Sequence, residues 1–328
     1  MKKIIGYAFI IIINYFLITG IVFYFSYISL LKNKTYDLIW IKSIQTKLYF
    51  EGLRNIWQYQ EGCTKYDLNL LYAPNEGICE FKNPEFSTKI TFDNNNRLHS
   101  IDNRTVDPND SLIAVIGDSV AMGWGVNDDE TFSYHLERLI NKKVINLAVS
   151  SYGTIREIKR LKSSKYYKQI ETIIIQYNIN DIHENKDLDF NKTYSREDYK
   201  NIFSSNKYEL NKTLFLLKIY KKSLRLLFSD IKKIFIKNER IEKYNLDNDI
   251  LILKSIIEKQ LSKERKKILV ILVQEPYIFI ENIEKFEDDK FEFLNIKLEK
   301  DHFFTIDDHP NSKGHQKIAN ILFEHLSK

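Results

Sequence analysis

Three short stretches hold the side chains that covalent acyl chemistry requires. The first is Gly117-Asp118-Ser119, which ends the β-branched run Leu112 to Ile116. Such a run has the composition of a strand buried on both faces. A chain leaving it must turn sharply, and glycine tolerates the dihedrals of that turn. A serine just beyond sits at the carboxyl end of a strand, where open α/β sheets place their ligands. The N–H groups of a helix starting there point at whatever binds beside the hydroxyl, although the same hydroxyl serves equally as a plain helix cap. The second stretch, Asn178-Ile179-Asn180-Asp181, follows the apolar run Glu171 to Tyr177, and the third is Asp307-Asp308-His309-Pro310-Asn311. A serine hydroxyl is a poor nucleophile near neutral pH and gains reactivity from an adjacent base. A serine, a histidine and an acid converging at strand ends therefore suit attack on a carbonyl carbon.

Seven histidines compete for the role of base. His99 falls before the main domain, His135 inside a predicted helix, and His183 close to the second stretch. His315 belongs to the first turn of a terminal helix whose Ile318, Ile321 and Leu322 face inward. His302 remains as the rival of His309. Pro310 biases His309 towards an extended backbone, and in an extended chain residues i and i+2 share a side. Asp307 therefore leans towards the His309 ring while Asp308 points away. That makes Asp307 the acid that fixes the imidazole tautomer, with Asp308 as the alternative.

Taken together, these blocks resemble the SGNH hydrolase superfamily, the GDSL-type esterases. The four blocks of that family are matched by Gly117-Asp118-Ser119, Asn146 to Gly153, Asn180-Asp181 and Asp307 to Asn311. The match covers roughly Leu112 to Leu326, with a long unmatched insert. The resemblance implies an α/β fold: a three-layer α/β/α sandwich around a parallel sheet, of the flavodoxin-like kind. It also implies Ser119 as nucleophile, His309 as base and then acid, and an oxyanion hole. The donors of that hole would be the Ser119 backbone N–H, a second-block N–H and the Asn180 side chain. No metal or organic cofactor is implied. Three positions depart from the family pattern. Ile306 stands where the usual aspartate precedes the histidine by three. Ser151 takes the usual second-block glycine position, with Gly153 two residues on, so either amide is open as the donor. Asn178 stands where the third block has glycine. Asn180 could equally cap the next helix, and Asp118 is expected to brace the turn. The expected activity is cleavage of a small acyl group from an oxygen ester of a small molecule, glycan or lipid. An acyltransferase passing the group to an envelope glycan, and a non-catalytic envelope binding module, are the alternatives.

The elements that position these blocks follow from apolar patterning. Asp128 to Glu130 put negative charge at the start of a helix carrying Phe132, Leu136, Leu139 and Ile140 inward. Lys143 to Leu147 reads as the second strand, a helix spans Ile155 to Leu161, and Glu171 opens the third strand. Lys267 to Val273 is the fourth strand, and Phe303-Phe304 a short fifth. Strands alternating with helices imply parallel pairing with right-handed crossovers. Within the insert, about 186–266, Leu210, Leu214, Leu217, Leu224, Phe228, Ile231 and Phe235 form a helical stripe. It either packs on its own domain or rests on an anionic membrane face.

Residues 1–34 read as an anchor, 35–110 as a helical stalk with a small β-rich accessory segment, and 111–328 as the hydrolase-like domain. Ile4 to Leu31 is almost continuously apolar between Lys2-Lys3 and Lys32 with Lys34. That length exceeds the roughly 20 residues that cross a bilayer. It lacks the short core and small-residue exit of a cleaved signal peptide. Lysines at both ends leave orientation open. Cys63 and Cys79 are the only cysteines. They either form a disulfide, which persists outside the cytosol, or are two unrelated buried thiols. A disulfide would place the catalytic part outside the cytoplasm, in the periplasm of a cell that has one. The formal charge of +5 is spread along the chain, with no compact basic patch interleaved with aromatics, which argues against nucleic-acid binding.

Overall fold

The structure, a computed structural model, describes residues 2–60, 62–93, 96–97, 106–186, 189–205, 215–225, 242–243, 247–261, 266–274, 278–279 and 283–328. Its centre is an eight-stranded sheet. Five strands run parallel: β6 (Leu112–Gly117), β7 (Val144–Asn146), β8 (Ile170–Gln176), β10 (Lys267–Gln274) and β12 (Phe291–Lys297). β3 (Gly77–Asn83), β4 (Phe86–Asp93) and β5 (Asn96–Arg97) continue the same sheet as antiparallel strands. The order across it is β12-β10-β8-β6-β7-β5-β4-β3. β1 (Thr64–Asp67) and β2 (Leu71–Pro74) form a separate antiparallel ribbon, and β9 (Glu242–Lys243) pairs with β11 (Ile278–Phe279).

Every residue of β6 is buried, as its β-branched sequence requires. Alternate residues serve opposite faces. Ile113 and Val115 share a core with Phe132 and Leu136 of helix Phe132–Ile140, and with Ile318 and Leu322 of helix Ser312–Leu326. Leu112, Ala114 and Ile116 pack with Ile155 and Ile158 of helix Thr154–Ser163, and with Leu253 and Ile257 of helix Asp247–Leu261. The architecture is the three-layer α/β/α arrangement expected from the sequence.

Four expectations need correction. The accessory segment does not pack on the domain as a separate stalk or lid. Its strands extend the main sheet, with Arg97 opposite Asn146 of β7, and Arg97 is buried against Asp128 at 3.1 Å. The fifth parallel strand is β12, while Phe303 makes only an isolated bridge to Pro310. Leu139 is 40% exposed rather than inward, because the apolar stripe on this nine-residue helix centres on Phe132 and Leu136. The helix expected over Thr35 to Tyr59 is shorter: it runs Ile39–Leu48 and ends in one wide turn of π-helix, Tyr49–Leu53. Leu210, Leu214, Phe228, Ile231 and Phe235 of the predicted stripe lie outside the described residues.

The N-terminal helix spans Lys2–Leu31. Its segment Phe9–Leu31, mean hydropathy 2.1, is long and apolar enough to cross a membrane. Cys63 and Cys79 are joined as a disulfide, which ties the start of β1 to β3.

Candidate active site

Ser119 follows β6 directly, as the first residue of the short helix Ser119–Met122. Gly117 carries φ +151°, and a Cβ there would fall 2.7 Å from Ala121 Cβ and 3.0 Å from the Gln176 carbonyl oxygen. Only glycine fits a turn this tight against β8. Asp118 caps the helix, its Oδ1 accepting the Val120 N–H at 3.0 Å. Gln176, at the end of β8, accepts the Ala121 N–H at 3.1 Å. Asn178 Nδ2 donates to Asp118 Oδ2 at 3.2 Å. The predicted bracing role of Asp118 is thus shared with two residues from the neighbouring strand end.

The imidazole of His309 is carried by the loop between the turn Lys300–His302 and helix Ser312–Leu326. Its Nε2 lies 2.7 Å from Ser119 Oγ, and its Nδ1 lies 2.5 Å from Asp307 Oδ1. A ring protonated at Nδ1 donates to Asp307 and accepts from the serine hydroxyl. Asp307 is 2% exposed and heavily bonded. Its Oδ1 also accepts the His309 N–H at 3.1 Å. Its Oδ2 accepts the Tyr49 hydroxyl at 2.5 Å and Trp124 Nε1 at 3.1 Å, with Arg54 Nη2 at 3.5 Å. Burial works against the carboxylate charge, but the imidazole, Arg54 and Tyr49 together hold Asp307 well below the usual carboxylate range. Asp308 does not point away as expected. Its exposed carboxylate comes to 3.1 Å from the same Nδ1. Burial opposes charge on His309, yet the Asp307 and Asp308 carboxylates outweigh it and lift the ring to about 9.

The loop carrying these residues is fastened from the accessory hairpin. Glu85, in the turn between β3 and β4, accepts the N–H groups of Thr305, Ile306 and Asp307 at 2.7, 2.9 and 2.9 Å. Burial raises its pKa against the lowering effect of those three bonds. His302, the rival base, instead accepts the Glu299 N–H at 2.9 Å and closes a turn. His315 is fully buried and its Nδ1 accepts the Phe132 N–H at 3.1 Å; burial lowers it to about 3. The His183 side chain and His99 lie outside the described residues.

Of the expected oxyanion donors, Ser119 and Ser151 line a cleft of about 300 Å³ together with Arg54, Asn178 and His309. Ser151 adopts φ +63°, the left-handed backbone that explains why a glycine is usual at such a position. Of the two amides left open, the Gly153 N–H donates to Glu184 Oε2 at 3.2 Å. Glu184 also binds Arg156, which fixes the helix start. Asn180 lies in the turn Ile179–Asp181 directly after β8; its side chain is outside the described residues. Among the described residues, Asp307, Asp308 and His309 are the one group close enough to share a cation, but the Asp307 oxygens already accept four hydrogen bonds and face Arg54 as an ion pair.

Sequence reasoning missed Tyr49, Arg54, Glu85 and Trp124. Trp124 sits five residues after Ser119, just beyond the first stretch singled out for chemistry. The other three come from the segment read as an accessory, where nothing in a single sequence marks a residue that meets the histidine loop over 200 positions away. Arg54 stacks on Trp124, its guanidinium 4.7 Å from the ring centre, and on Phe50 at 4.8 Å.

No protein-family profile matches the chain, and no curated protein sequence matches it. Solved structures do show similarity. One is described as a lipolytic protein of the G-D-S-L family from Desulfitobacterium hafniense, 10% identical, covering 66% of this chain and 99% of its own, with a TM-score of 0.35. A GDSL-like lipase from Bacteroides thetaiotaomicron is 12% identical, covering 66% and 88%, with a TM-score of 0.33. An acetyl xylan esterase from the rumen bacterium Butyrivibrio proteoclasticus is 13% identical, covering 68% and 64%, with a TM-score of 0.34.

Proposed function

We propose that this chain is a membrane-anchored serine esterase that removes a small acyl group through an acyl-Ser119 intermediate. The observation that carries the reading is the continuous relay from Asp307 through His309 to Ser119, at 2.5 and 2.7 Å. In the first step Ser119 Oγ attacks the ester carbonyl carbon and its proton passes to His309 Nε2. The imidazolium is stabilised by Asp307, which keeps its charge throughout. When the tetrahedral intermediate collapses, the carbon–oxygen bond to the alcohol breaks and His309 returns the proton to the leaving oxygen. Water then repeats the sequence, releasing the acid and restoring the serine.

The developing oxyanion needs donors fixed in advance. The Ser119 N–H, the Ser151 N–H and the Asn180 side chain are assigned that role. The cleft of about 300 Å³ fits a short acyl group with part of its alcohol. The disulfide favours an extracytoplasmic catalytic part, and the apolar helix would tether it there. Acylated glycans and membrane lipids are the substrates within reach.

The test is hydrolysis of 4-nitrophenyl acetate by the full chain in detergent, with and without an oligosaccharide acceptor. Hydrolysis that Ser119→Ala abolishes supports the esterase. Acetate appearing on the oligosaccharide in place of free acid would mean a transferase. No turnover of acetyl, butyryl or longer esters would leave a binding module.

A further inference from the structure

The loop that carries Ser151 holds a backbone conformation that its own residues disfavour. The Tyr152 N–H donates to the Val149 carbonyl at 3.2 Å, which closes a turn with Ser150 and Ser151 at its centre. Ser151 has φ +63°, and Ser150 before it lies outside the left-handed region. That combination defines a type II turn, whose third position is normally glycine. A type I turn keeps the same closing bond and gives its third residue an ordinary negative φ. The two forms differ by rotation of one peptide plane, here the plane shared by the Ser150 carbonyl and the Ser151 N–H. In a trans peptide these two groups point in opposite directions. The orientation of the carbonyl therefore decides where the N–H points.

The Ser150 carbonyl is held from the accessory segment. Tyr72 of β2 donates its hydroxyl to that oxygen at 2.6 Å, and both residues are buried. Burial pushes the phenol up to about 12, so it keeps its proton near neutral pH. Tyr72 is itself fixed. The Tyr152 hydroxyl donates to its carbonyl, and the two rings lie 5.4 Å apart. β2 pairs with β1, whose start the Cys63–Cys79 disulfide ties to β3. Around the same turn Arg156 Nη2 donates to the Ser151 carbonyl at 2.5 Å, and Gln58 Nε2 to the Ser151 hydroxyl at 3.3 Å. Nothing among the described residues accepts the Ser151 N–H, and Ser151 lines the cleft with Ser119 and His309.

We propose that Tyr72 is a positioning residue for the oxyanion hole: by holding the Ser150 carbonyl, its hydroxyl keeps the Ser151 N–H turned into the cleft. The proposal rests on the reading of the Ser151 N–H as an oxyanion donor of a serine esterase. A residue with a side chain is disfavoured in the left-handed region by about 5- to 30-fold. Without the tether the peptide between Ser150 and Ser151 turns over to the type I form. The turned-over peptide directs a carbonyl oxygen, in place of an N–H, at the charge developing on the substrate. A glycine at position 151 would occupy the left-handed region freely and hold the donor without help. Tyr72 thus offsets the departure from glycine at this position.

The test measures kcat and KM for 4-nitrophenyl acetate with the full chain in detergent, for Tyr72→Phe and Ser151→Gly singly and together. Tyr72→Phe leaves the ring in its packing. It should lower kcat by about 5- to 30-fold, the size of the left-handed preference. KM should stay within about two-fold, because the donor acts on the transition state. In the Ser151→Gly background the same change should cost less than about two-fold, since glycine removes the strain that the tether opposes. Ser151→Ala in place of glycine should give no such relief. Unchanged kcat in Tyr72→Phe would overturn the proposal while leaving the esterase reading intact. A loss that persists undiminished beside Ser151→Gly would also overturn it, by making Tyr72 a packing residue only. A parent chain without ester turnover would refute the esterase reading, and the proposal with it.

Discussion

Tyr49→Phe removes one oxygen and leaves the ring in its packing. Burial and the adjacent Asp307 carboxylate push the phenol far above its ordinary pKa, so it donates to Asp307 Oδ2 at every practical pH, at 2.5 Å. A hydrogen bond to a charged group contributes about 1.5–3 kcal/mol. After its loss Oδ2 keeps Trp124 at 3.1 Å and Arg54 at 3.5 Å, so the carboxylate stays bound but gains freedom to turn. If the whole bond serves to aim the carboxylate at the imidazolium, kcat falls by roughly 10- to 150-fold. The sign on pH follows from charge. With one donor fewer, Asp307 is a more negative partner, and the folded-state pKa of His309, already raised to about 9, rises further. In the proposed mechanism the neutral ring is the base, so the acid limb of the kcat/KM profile moves to higher pH. The assay is ester hydrolysis across pH with purified Tyr49→Phe beside the parent. Unchanged kcat together with an unmoved limb would refute the idea that Tyr49 positions the acid.

Other variants follow from the same geometry. Asp308→Asn removes the second negative group at His309, 3.1 Å from Nδ1; the acid limb should move to lower pH with the plateau rate kept within about three-fold, a change too small to cost even one factor of ten in barrier terms. Glu85→Gln leaves one acceptor oxygen for three backbone N–H groups and should lower activity about ten-fold and the thermal midpoint with it, read by kinetics and calorimetry on the same sample. Asn180→Ala should lower kcat by about 10²–10³ with KM little changed, as expected for an oxyanion donor; a change confined to KM would assign it to binding.

The parallel core was readable because its chemistry is local. Leu112 to Ile116 and Lys267 to Val273 are β-branched runs that only a doubly covered strand accommodates, and both are central strands here. Asp307 was separable from Asp308 by strand alternation alone, although alternation failed to foresee that Asp308 also reaches Nδ1 from the surface. What stayed hidden depends on contacts far apart in sequence. β5 is two residues long, so its pairing with β7 through Arg97 and Asn146 leaves no periodic trace. Phe303-Phe304 reads as a strand because aromatic residues favour one, yet Phe304 packs on Phe86 of the β3–β4 hairpin. The sequence left Ser151 and Gly153 open as the second donor; Ser151 carries the positive φ of +63°, and the bond from Gly153 to Glu184 is a contact between distant segments that no local pattern reveals.

The central claim is that Ser119 is a nucleophile activated by His309. Incubating the full chain with a fluorophosphonate and mapping the adduct by mass spectrometry addresses it directly. One phosphonyl group on Ser119, formed much more slowly in His309→Ala, is the predicted result. A folded protein whose Ser119 stays unmodified, or whose labelling rate is the same without the imidazole, would contradict it.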